Sequence, residues 1–280
     1  MRAVELLWPG RHARIEPLSG GITNRNYKVE VDGETYALRI GGRDTELLGI
    51  DRGHETEATA AAADVGVAPQ VLRYRDGYLV TRFIEGEPGK IESVEEVGRL
   101  LRRFHDSPPI SGRFNPYRVV EAYRATAIEH GVRVPEAYGR AHETAARIER
   151  LRQDAPLRPC HNDLLAANFI NDGTRLWIVD WEYAGMGDPY FDLANFAVNN
   201  GLDGPAEERL LDAYGAGDVD GLVLMRFMSD FREAMWGVLQ QALSELDVDF
   251  KAYAAEHFER LARTAAEPRF RAALHGSSAG

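Results

Sequence analysis

Apolar and polar residues alternate along the first third of the chain, which predicts a lobe built from β-strands. Asp32-Gly33 and Asp76-Gly77 are dipeptides typical of tight hairpin turns. A helix is expected between the two hairpins, at about 53–65. The strands predicted from this alternation cover residues 25–32, 34–40, 70–75 and 78–84.

Beyond residue 91 the apolar positions take the three- and four-residue spacing of helices. Ser93 and Glu96 have the spacing of a capping box, which places a helix start there. One hairpin is expected among the helices, at 169–180 around Asp172-Gly173. The helices predicted in this region cover residues 94–106, 116–130, 136–153, 190–200, 205–214, 219–245 and 250–265.

This order of elements predicts an α+β protein with two lobes. The β-rich lobe is expected to cover 1–84 and the helical lobe 91–280, with a turn-rich hinge at 85–90. The tail after about residue 270 is expected to be frayed. A cleft between two lobes is a common place for a ligand, so we expect the site there.

Composition narrows the classes of function. The chain has 280 residues with 33 Lys and Arg against 44 Asp and Glu, a net charge of -11. An acidic chain lacks the electrostatic footprint of a general nucleic-acid binder. The single cysteine, Cys160, excludes an intrachain disulfide and favours a cytoplasmic setting. We also expect no signal peptide and no membrane span, because no long apolar run is present.

The hairpin at 169–180 predicts where its polar residues meet. With a two-residue turn at Asp172-Gly173, Asn168 lies opposite residue 177, and Asp180 lies at the same open end. Two carboxylates and a carboxamide are then expected together, because Asp163 lies just before this end. The alternative is an ordinary solvated turn with acidic neighbours.

Such a set of oxygen atoms suits Mg²⁺, which is usually held by one or two carboxylates and by substrate phosphates. Asn168 and Asp180 are the predicted ligands, and Asp163 is placed to accept a hydroxyl proton. Phosphoryl transfer to an alcohol requires this arrangement. A P-loop is excluded, because the chain has no GxxxxGK[ST] motif.

Four spaced motifs resemble the choline/ethanolamine kinase branch of the aminoglycoside-phosphotransferase-like kinases. They are residues 161–168 (HNDLLAAN), 178–183 (IVDWEY), 187–194 (GDPYFDLA) and 19–27 (SGGITNRNY). The resemblance covers about 15–265. It implies a two-lobed protein-kinase-like fold with a small antiparallel β-sheet in the N-lobe, a mostly helical C-lobe, and ATP between them.

The resemblance also implies roles for single residues. Asp163 matches the catalytic base, His161 a structural residue of the catalytic loop, and Asn168 and Asp180 the Mg²⁺ ligands. Apart from the resemblance, Asp188 and Asp192 are expected to be structural, either as caps or by holding that loop, rather than catalytic. The ATP site implied by the resemblance consists of Arg39, Glu55, Gly20, Gly21, Thr23, Asn24, Thr81 and Phe83. In this set Arg39 takes the place of a phosphate-binding lysine, and Glu55 is its expected ion-pair partner.

The acceptor site is predicted from the chemistry of choline, whose quaternary ammonium is best held by aromatic faces and a carboxylate. Among the candidates Tyr183 has the strongest claim by resemblance, whereas Trp236 and its helix could equally be core. Asn199 stands where eukaryotic choline kinases carry a glutamate. The predicted acceptor-binding residues are Trp181, Glu182, Tyr183, Tyr190, Glu233 and Trp236.

The sequence therefore predicts an ATP- and Mg²⁺-dependent kinase that phosphorylates the hydroxyl of choline or ethanolamine. One alternative is the same reaction on an aminoglycoside, thiamine or another amino alcohol. A second is a nucleotide-binding module without activity, which the presence of Asp163, Asn168 and Asp180 argues against.

Overall fold

The computed structural model of the protein describes residues 2–18, 24–42 and 44–276. A short helix, α1 (Arg2–Leu7), precedes a five-stranded antiparallel sheet with the strand order β1-β2-β3-β5-β4. The five strands are β1 (Ala13–Pro17), β2 (Asn24–Val31), β3 (Glu34–Gly41), β4 (Val71–Arg75) and β5 (Tyr78–Arg82). The structure thus adds α1 and β1 to the elements that the sequence predicted.

Both predicted hairpin turns are present. Val31 pairs with Glu34, so the turn between β2 and β3 consists of Asp32 and Gly33 alone. These two residues have φ values of 53° and 85°. Such positive values are those of the tight turn that suits the twist of a two-stranded ribbon. The turn between β4 and β5 has the same form.

Helix α2 (Arg52–Asp64) separates the two hairpins. Asp51 caps it, because its side chain accepts hydrogen bonds from the amides of Gly53 and His54. Glu55 lies in the first turn of α2 and is buried. The cap therefore stabilises the first turn of α2, and this turn carries Glu55.

The C-lobe is helical, as predicted. Ser93 caps α3 through a hydrogen bond from the amide of Glu96. Helix α8 is central: it has 25 residues, packs against α4, α6 and α9, and is buried along most of its length. The helices are α3 (Val94–His105), α4 (Pro116–Glu129), α5 (Ala137–Arg152), α6 (Pro189–Asn199), α7 (Gly204–Tyr214), α8 (Val219–Leu243), α9 (Phe250–Ala266) and α10 (Pro268–Leu274).

Two small sheets carry the segments that interrupt the helices. One has the strand order β6-β8-β9 and the other pairs β7 with β10. Through β6, the first sheet ties the segment after the N-lobe to the predicted hairpin of the C-lobe. The strands are β6 (Glu87–Pro88), β7 (Arg158–Cys160), β8 (Phe169–Asn171), β9 (Leu176–Ile178) and β10 (Gly185–Gly187).

The predicted register of the β8–β9 hairpin is wrong by two residues. The loop has four residues, 172–175, because Asp172 accepts hydrogen bonds from the amides of Thr174 and Arg175. Asn168 is therefore not opposite residue 177. Its carbonyl accepts a hydrogen bond from the amide of Val179 at 2.9 Å, which brings Asn168 next to Asp180.

The prediction of a frayed tail after about 270 is also wrong. The chain continues as α10 to Leu274, and Phe270 is 1% exposed. The Phe270 ring stacks on Phe227 of α8 at 5.3 Å between centroids, so burial of this ring holds α10 in place. Within the described ranges, no helix has the length and apolar character needed to cross a membrane.

Candidate active site

The loop after β7 begins the candidate site, and α6 holds it. Asp192 accepts hydrogen bonds from the amides of His161 and Asn162, at 2.7 and 2.6 Å. Asn162 has a φ of 67°, a left-handed conformation that asparagine tolerates better than most residues. Asp192 therefore has the loop-holding place that was predicted for it.

His161 is fully buried and acts on its neighbours through hydrogen bonds. Its Nδ1 accepts from the amide of Asp163 at 3.2 Å, which leaves the proton on Nε2, 3.0 Å from the carbonyl of Val179. Burial lowers the pKa of His161, so the neutral ring is favoured. The histidine thus ties Asp163 to the segment that leads into Asp180.

Asp163 lies at the end of this loop with its side chain 14% exposed. Nη1 of Arg232 is 3.0 Å from its Oδ1. Burial raises the pKa of Asp163 to about 7, against the opposing effect of Arg232, and the carboxylate of Glu233 adds to the rise. A carboxyl group with a pKa near neutrality is suited to accept and release a proton.

Asn168 and Asp180 lie beside Asp163. The amide nitrogen of Asn168 donates to the backbone carbonyl of Asp163 at 2.8 Å, which leaves its amide oxygen as the atom able to bind a cation. Asp180 has a φ of 67° and a side chain that is 22% exposed. An amide oxygen next to a carboxylate is a donor set that fits Mg²⁺.

Arg39 joins the two lobes at this point. Its guanidinium contacts Glu55 of α2, and its Nη1 is 2.5 Å from Oδ1 of Asp180. Burial alone would lower the pKa of Arg39, but Asp180 and Glu55 outweigh it and raise the pKa. The predicted ion pair between Arg39 and Glu55 is therefore present.

A second polar network crosses the lobes next to the first. Asn24, at the start of β2, donates to Oε2 of Glu182 at 2.7 Å. Arg52 donates to Oδ1 of Asn24 at 2.9 Å and reaches both Glu55 and Glu182, at 2.6 and 3.3 Å. Asn24 was predicted to bind ATP and Glu182 to bind the acceptor, and the structure brings both to the junction between the lobes.

The remaining predicted ATP residues lie along the N-lobe. Thr81 lies in β5 opposite Ala37, and the amide of Phe83 donates to the carbonyl of Thr35 at 3.3 Å. Both side chains are partly exposed, and Nζ of Lys28 lies 4.6 Å from the centroid of the Phe83 ring. Gly20, Gly21 and Thr23 lie outside the described residues.

Two of the predicted acceptor residues lie elsewhere. Trp181 is 1% exposed and packs against Phe104 and His161, with centroids 4.5 and 4.6 Å away. Its indole nitrogen donates inward to the carbonyl of Ile178. The structure places Trp181 in the core, where its ring fills the space behind the loop that carries Asp163, and gives no support to its predicted acceptor-binding role.

Tyr190 is directed to a different cluster. The guanidinium of Arg152 lies 4.9 Å from its ring centroid, and its hydroxyl accepts from the amide of Asp218 at 3.1 Å. Arg152 also pairs with Asp188, the cap of α6. Tyr190 therefore serves this arginine cluster, and the structure gives no support to its predicted role at the acceptor site.

Tyr183 and Glu233 do meet near Asp163, and Arg232 links them. The Arg232 guanidinium contacts Glu233 and lies 4.3 Å from the centroid of the Tyr183 ring. Oε2 of Glu233 accepts from the hydroxyl of Tyr253 at 2.8 Å. Burial opposes ionisation of Glu233, but Arg232 outweighs it and lowers the pKa of that carboxyl.

Trp236 lies one turn further along α8 and is 9% exposed. Its ring makes edge contacts with Phe250 and Tyr253, at 5.8 and 5.7 Å between centroids. Of the two interpretations that the sequence left open for Trp236, the structure favours packing between helices.

Two arginines that the sequence analysis missed complete the site. Arg52 is three residues before Glu55, a spacing at which the side chains of a helix meet. The sequence therefore contained a pattern from which the Arg52–Glu55 contact could have been predicted. Arg232 had no such pattern, because Glu233 is its direct neighbour and consecutive helix residues do not usually face the same group. Helix α8 is buried on nearly all sides, and this burial is what turns the side chains of both Arg232 and Glu233 inward.

The chain is similar to several known proteins in sequence and in fold. Protein LicA of Haemophilus influenzae is 30% identical over 209 residues, 70% of this chain and 61% of that protein. The crystal structure of a choline/ethanolamine kinase family protein from Mesorhizobium loti matches with 30% identity and a TM-score of 0.84, over 100% of this chain and 98% of that one. A structure of LicA in complex with AMP, 23% identical, shares the fold with a TM-score of 0.80, over 95% and 96%.

These matches confirm the predicted two-lobed, protein-kinase-like fold and the suspected family. A family model described as a phosphotransferase enzyme family matches residues 14–231, which is more than half of the chain. The protein therefore belongs to the phosphotransferase enzyme family.

Proposed function

We propose that the protein transfers the γ-phosphoryl group of ATP to the hydroxyl group of a small amino alcohol of the choline and ethanolamine class. One observation carries the proposal. Asp163 lies beside Asn168 and Asp180, and the Arg39–Glu55 ion pair of the other lobe reaches Asp180 directly. The proposed base, the proposed cation ligands and the arginine proposed to bind phosphate are thus together at the junction between the lobes.

In this proposal Asp163 orients the acceptor hydroxyl and takes its proton as the new O–P bond forms. His161 and Asn168 hold the backbone of Asp163, so the carboxylate needs little reorganisation when the acceptor arrives. Phosphoryl transfer depends mainly on such positioning and on charge stabilisation.

Asn168 and Asp180 would hold Mg²⁺, which when bound supplies positive charge between the phosphate groups. Arg39 is oriented by Glu55 and presents its planar guanidinium towards the same place. Such a group binds phosphate oxygens well, because two parallel N–H donors match their geometry. The AMP complex of LicA, which shares this fold, supports the proposal that a nucleotide binds in the cleft.

The acceptor is proposed to lie on the opposite side of Asp163, near Tyr183 and Glu233. Both residues reach Asp163 through Arg232. The name of the Mesorhizobium loti relative supports choline or ethanolamine as the acceptor class.

The test is ADP release from Mg-ATP in the presence of choline, ethanolamine, thiamine or kanamycin, with Asp163→Asn as the control. We expect turnover with choline or ethanolamine. In the variant we expect Mg-ATP binding to persist and kcat to fall by about 10²- to 10⁴-fold, the usual contribution of a general base.

Near-normal turnover of Asp163→Asn would contradict the proposed mechanism. Turnover with thiamine or kanamycin alone would retain the mechanism and replace the acceptor class. Mg-ATP binding without turnover of any acceptor would favour a nucleotide-binding module.

A further inference from the structure

The aromatic side chains expected to enclose a quaternary ammonium are already covered by other parts of the protein. Trp181 is enclosed in the core, and Trp236 packs against Phe250 and Tyr253. The guanidinium of Arg152 lies over the ring of Tyr190. A trimethylammonium group cannot donate a conventional hydrogen bond and depends on open aromatic faces. None of these three rings offers such a face near Asp163.

Tyr183, the remaining candidate, is covered by a cation of the protein itself. The Arg232 guanidinium lies 4.3 Å from its ring centroid, within the usual range of a cation–π contact. The same guanidinium contacts the carboxylates of Asp163 and Glu233. An aromatic face and two carboxylates are the surroundings that a quaternary ammonium head group requires.

We propose that Arg232 is a specificity-determining residue of the acceptor site: it occupies the position that a quaternary ammonium would need and selects ethanolamine over choline. The inference rests on the proposed kinase function and narrows its acceptor. A primary ammonium is smaller and donates hydrogen bonds, so carboxylates such as Glu233 can hold it without an open aromatic face.

Arg232 is not easily displaced by a substrate. Its side chain is 2% exposed, and its removal would leave Asp163 and Glu233 buried without their common counter-charge. A choline head group would therefore have to compete with a paired, buried guanidinium rather than enter an empty cage.

Two donor atoms of Arg232 add to the argument. Nε and Nη2 are buried and have no hydrogen-bond partner among the described residues. Buried donors are normally satisfied by protein atoms or ordered water. The head group of ethanolamine has three methyl groups fewer than that of choline and leaves space for water to accept these bonds.

The experiment compares kcat/KM for ethanolamine and choline in the wild type, Arg232→Met and Arg232→Lys. Arg226→Met is the matched control, since Arg226 is also on α8 but pairs with Glu207 of α7. We expect the wild type to favour ethanolamine by about tenfold or more, the size of one lost cation–π contact. Arg232→Met should move the ratio towards choline, whereas Arg232→Lys and Arg226→Met should retain it.

A wild-type preference for choline would overturn the inference, as would an equal loss for both acceptors in Arg232→Met. If Arg232→Met fails to fold in thermal unfolding, Arg232→Gln replaces it, because glutamine carries no charge but keeps hydrogen-bond donors for the carboxylates of Asp163 and Glu233. A wild type that neither binds nor phosphorylates either amine contradicts the proposed acceptor class itself, and the inference falls with it.

Discussion

Two acids at the candidate site, the partly buried Asp163 and the buried Glu55, each contact an arginine. The chain has only three lysines, Lys28, Lys90 and Lys251. A buried lysine readily loses its proton, whereas arginine stays charged in proteins. The positive charge at the site is therefore independent of pH near neutrality, and the carboxyl group of Asp163 is the group expected to titrate there.

The arginines stay charged near neutral pH, whereas Asp163 titrates there, and this difference predicts the pH dependence of the reaction. Asp163 has a pKa raised to about 7, so below that pH it carries a proton and cannot accept one from the acceptor. We expect kcat to fall as the pH is lowered through about 7, measured at saturating Mg-ATP and acceptor. Nucleotide affinity over the same range is the control, because Arg39 stays charged. A kcat that holds constant well below pH 7 would contradict a proton-accepting role for Asp163.

At the scale of elements, close helix packing limits the substitutions that the C-lobe tolerates. Helix α3 crosses α7 at Gly98, where a Cβ atom would lie 2.8 Å from the carbonyl oxygen of Leu210. Backbone atoms cannot move aside as the end of a flexible side chain does. The glycine is therefore explained by the approach of α7, although glycine weakens a helix.

Gly98→Ala tests this explanation. Alanine has the better helix propensity by about 1 kcal/mol, but overpacking usually costs about 1–3 kcal/mol, so a net destabilisation is expected. Gly139→Ala on α5 is the matched control, because nothing lies within 4 Å of its Cβ position. Free energies of unfolding from urea titrations should move in opposite directions for the two variants. Stabilisation by Gly98→Ala would show that α7 yields to the added methyl group.

At the scale of the whole molecule, the candidate site draws on both lobes. Arg39 and Asn24 come from the sheet, and their partners Asp180 and Glu182 come from the segment after β9. A ligand that binds between such groups stabilises only the folded chain. Binding is therefore expected to raise the stability of the protein as a whole.

Mg-ATP at a hundred times its Kd should stabilise the fold by about 2.7 kcal/mol, measured as a rise in the thermal unfolding midpoint. Addition of EDTA should remove most of the rise, because it removes the cation that Asn168 and Asp180 are proposed to bind. Asp180→Asn should show little dependence on Mg²⁺, whereas the exposed control Glu208→Gln should behave as the wild type. An equal Mg²⁺ effect in Asp180→Asn would remove Asp180 from the proposed cation site.

Much of the fold follows from local signals in the chain. Apolar spacing, the Asp51 and Ser93 caps and the Asp-Gly turns predicted most helices and both N-lobe hairpins, because each depends on residues a few positions apart. The residue types of the motifs around Asp163 and Asp180 also indicated the family. Their proposed roles stay predictions until turnover is measured.

The tertiary structure decided what depends on distant partners. Arg232 meets Asp163 across 69 positions of the chain, and Arg52 meets Glu182 across 130. No local pattern reports such contacts. Trp181 was predicted to bind the acceptor, yet it faces the core, because the packing of Phe104 and His161 sets its direction. The sequence by itself therefore determined the architecture and indicated the candidate reacting groups, while packing between distant segments decided which side chains lie together at the candidate site.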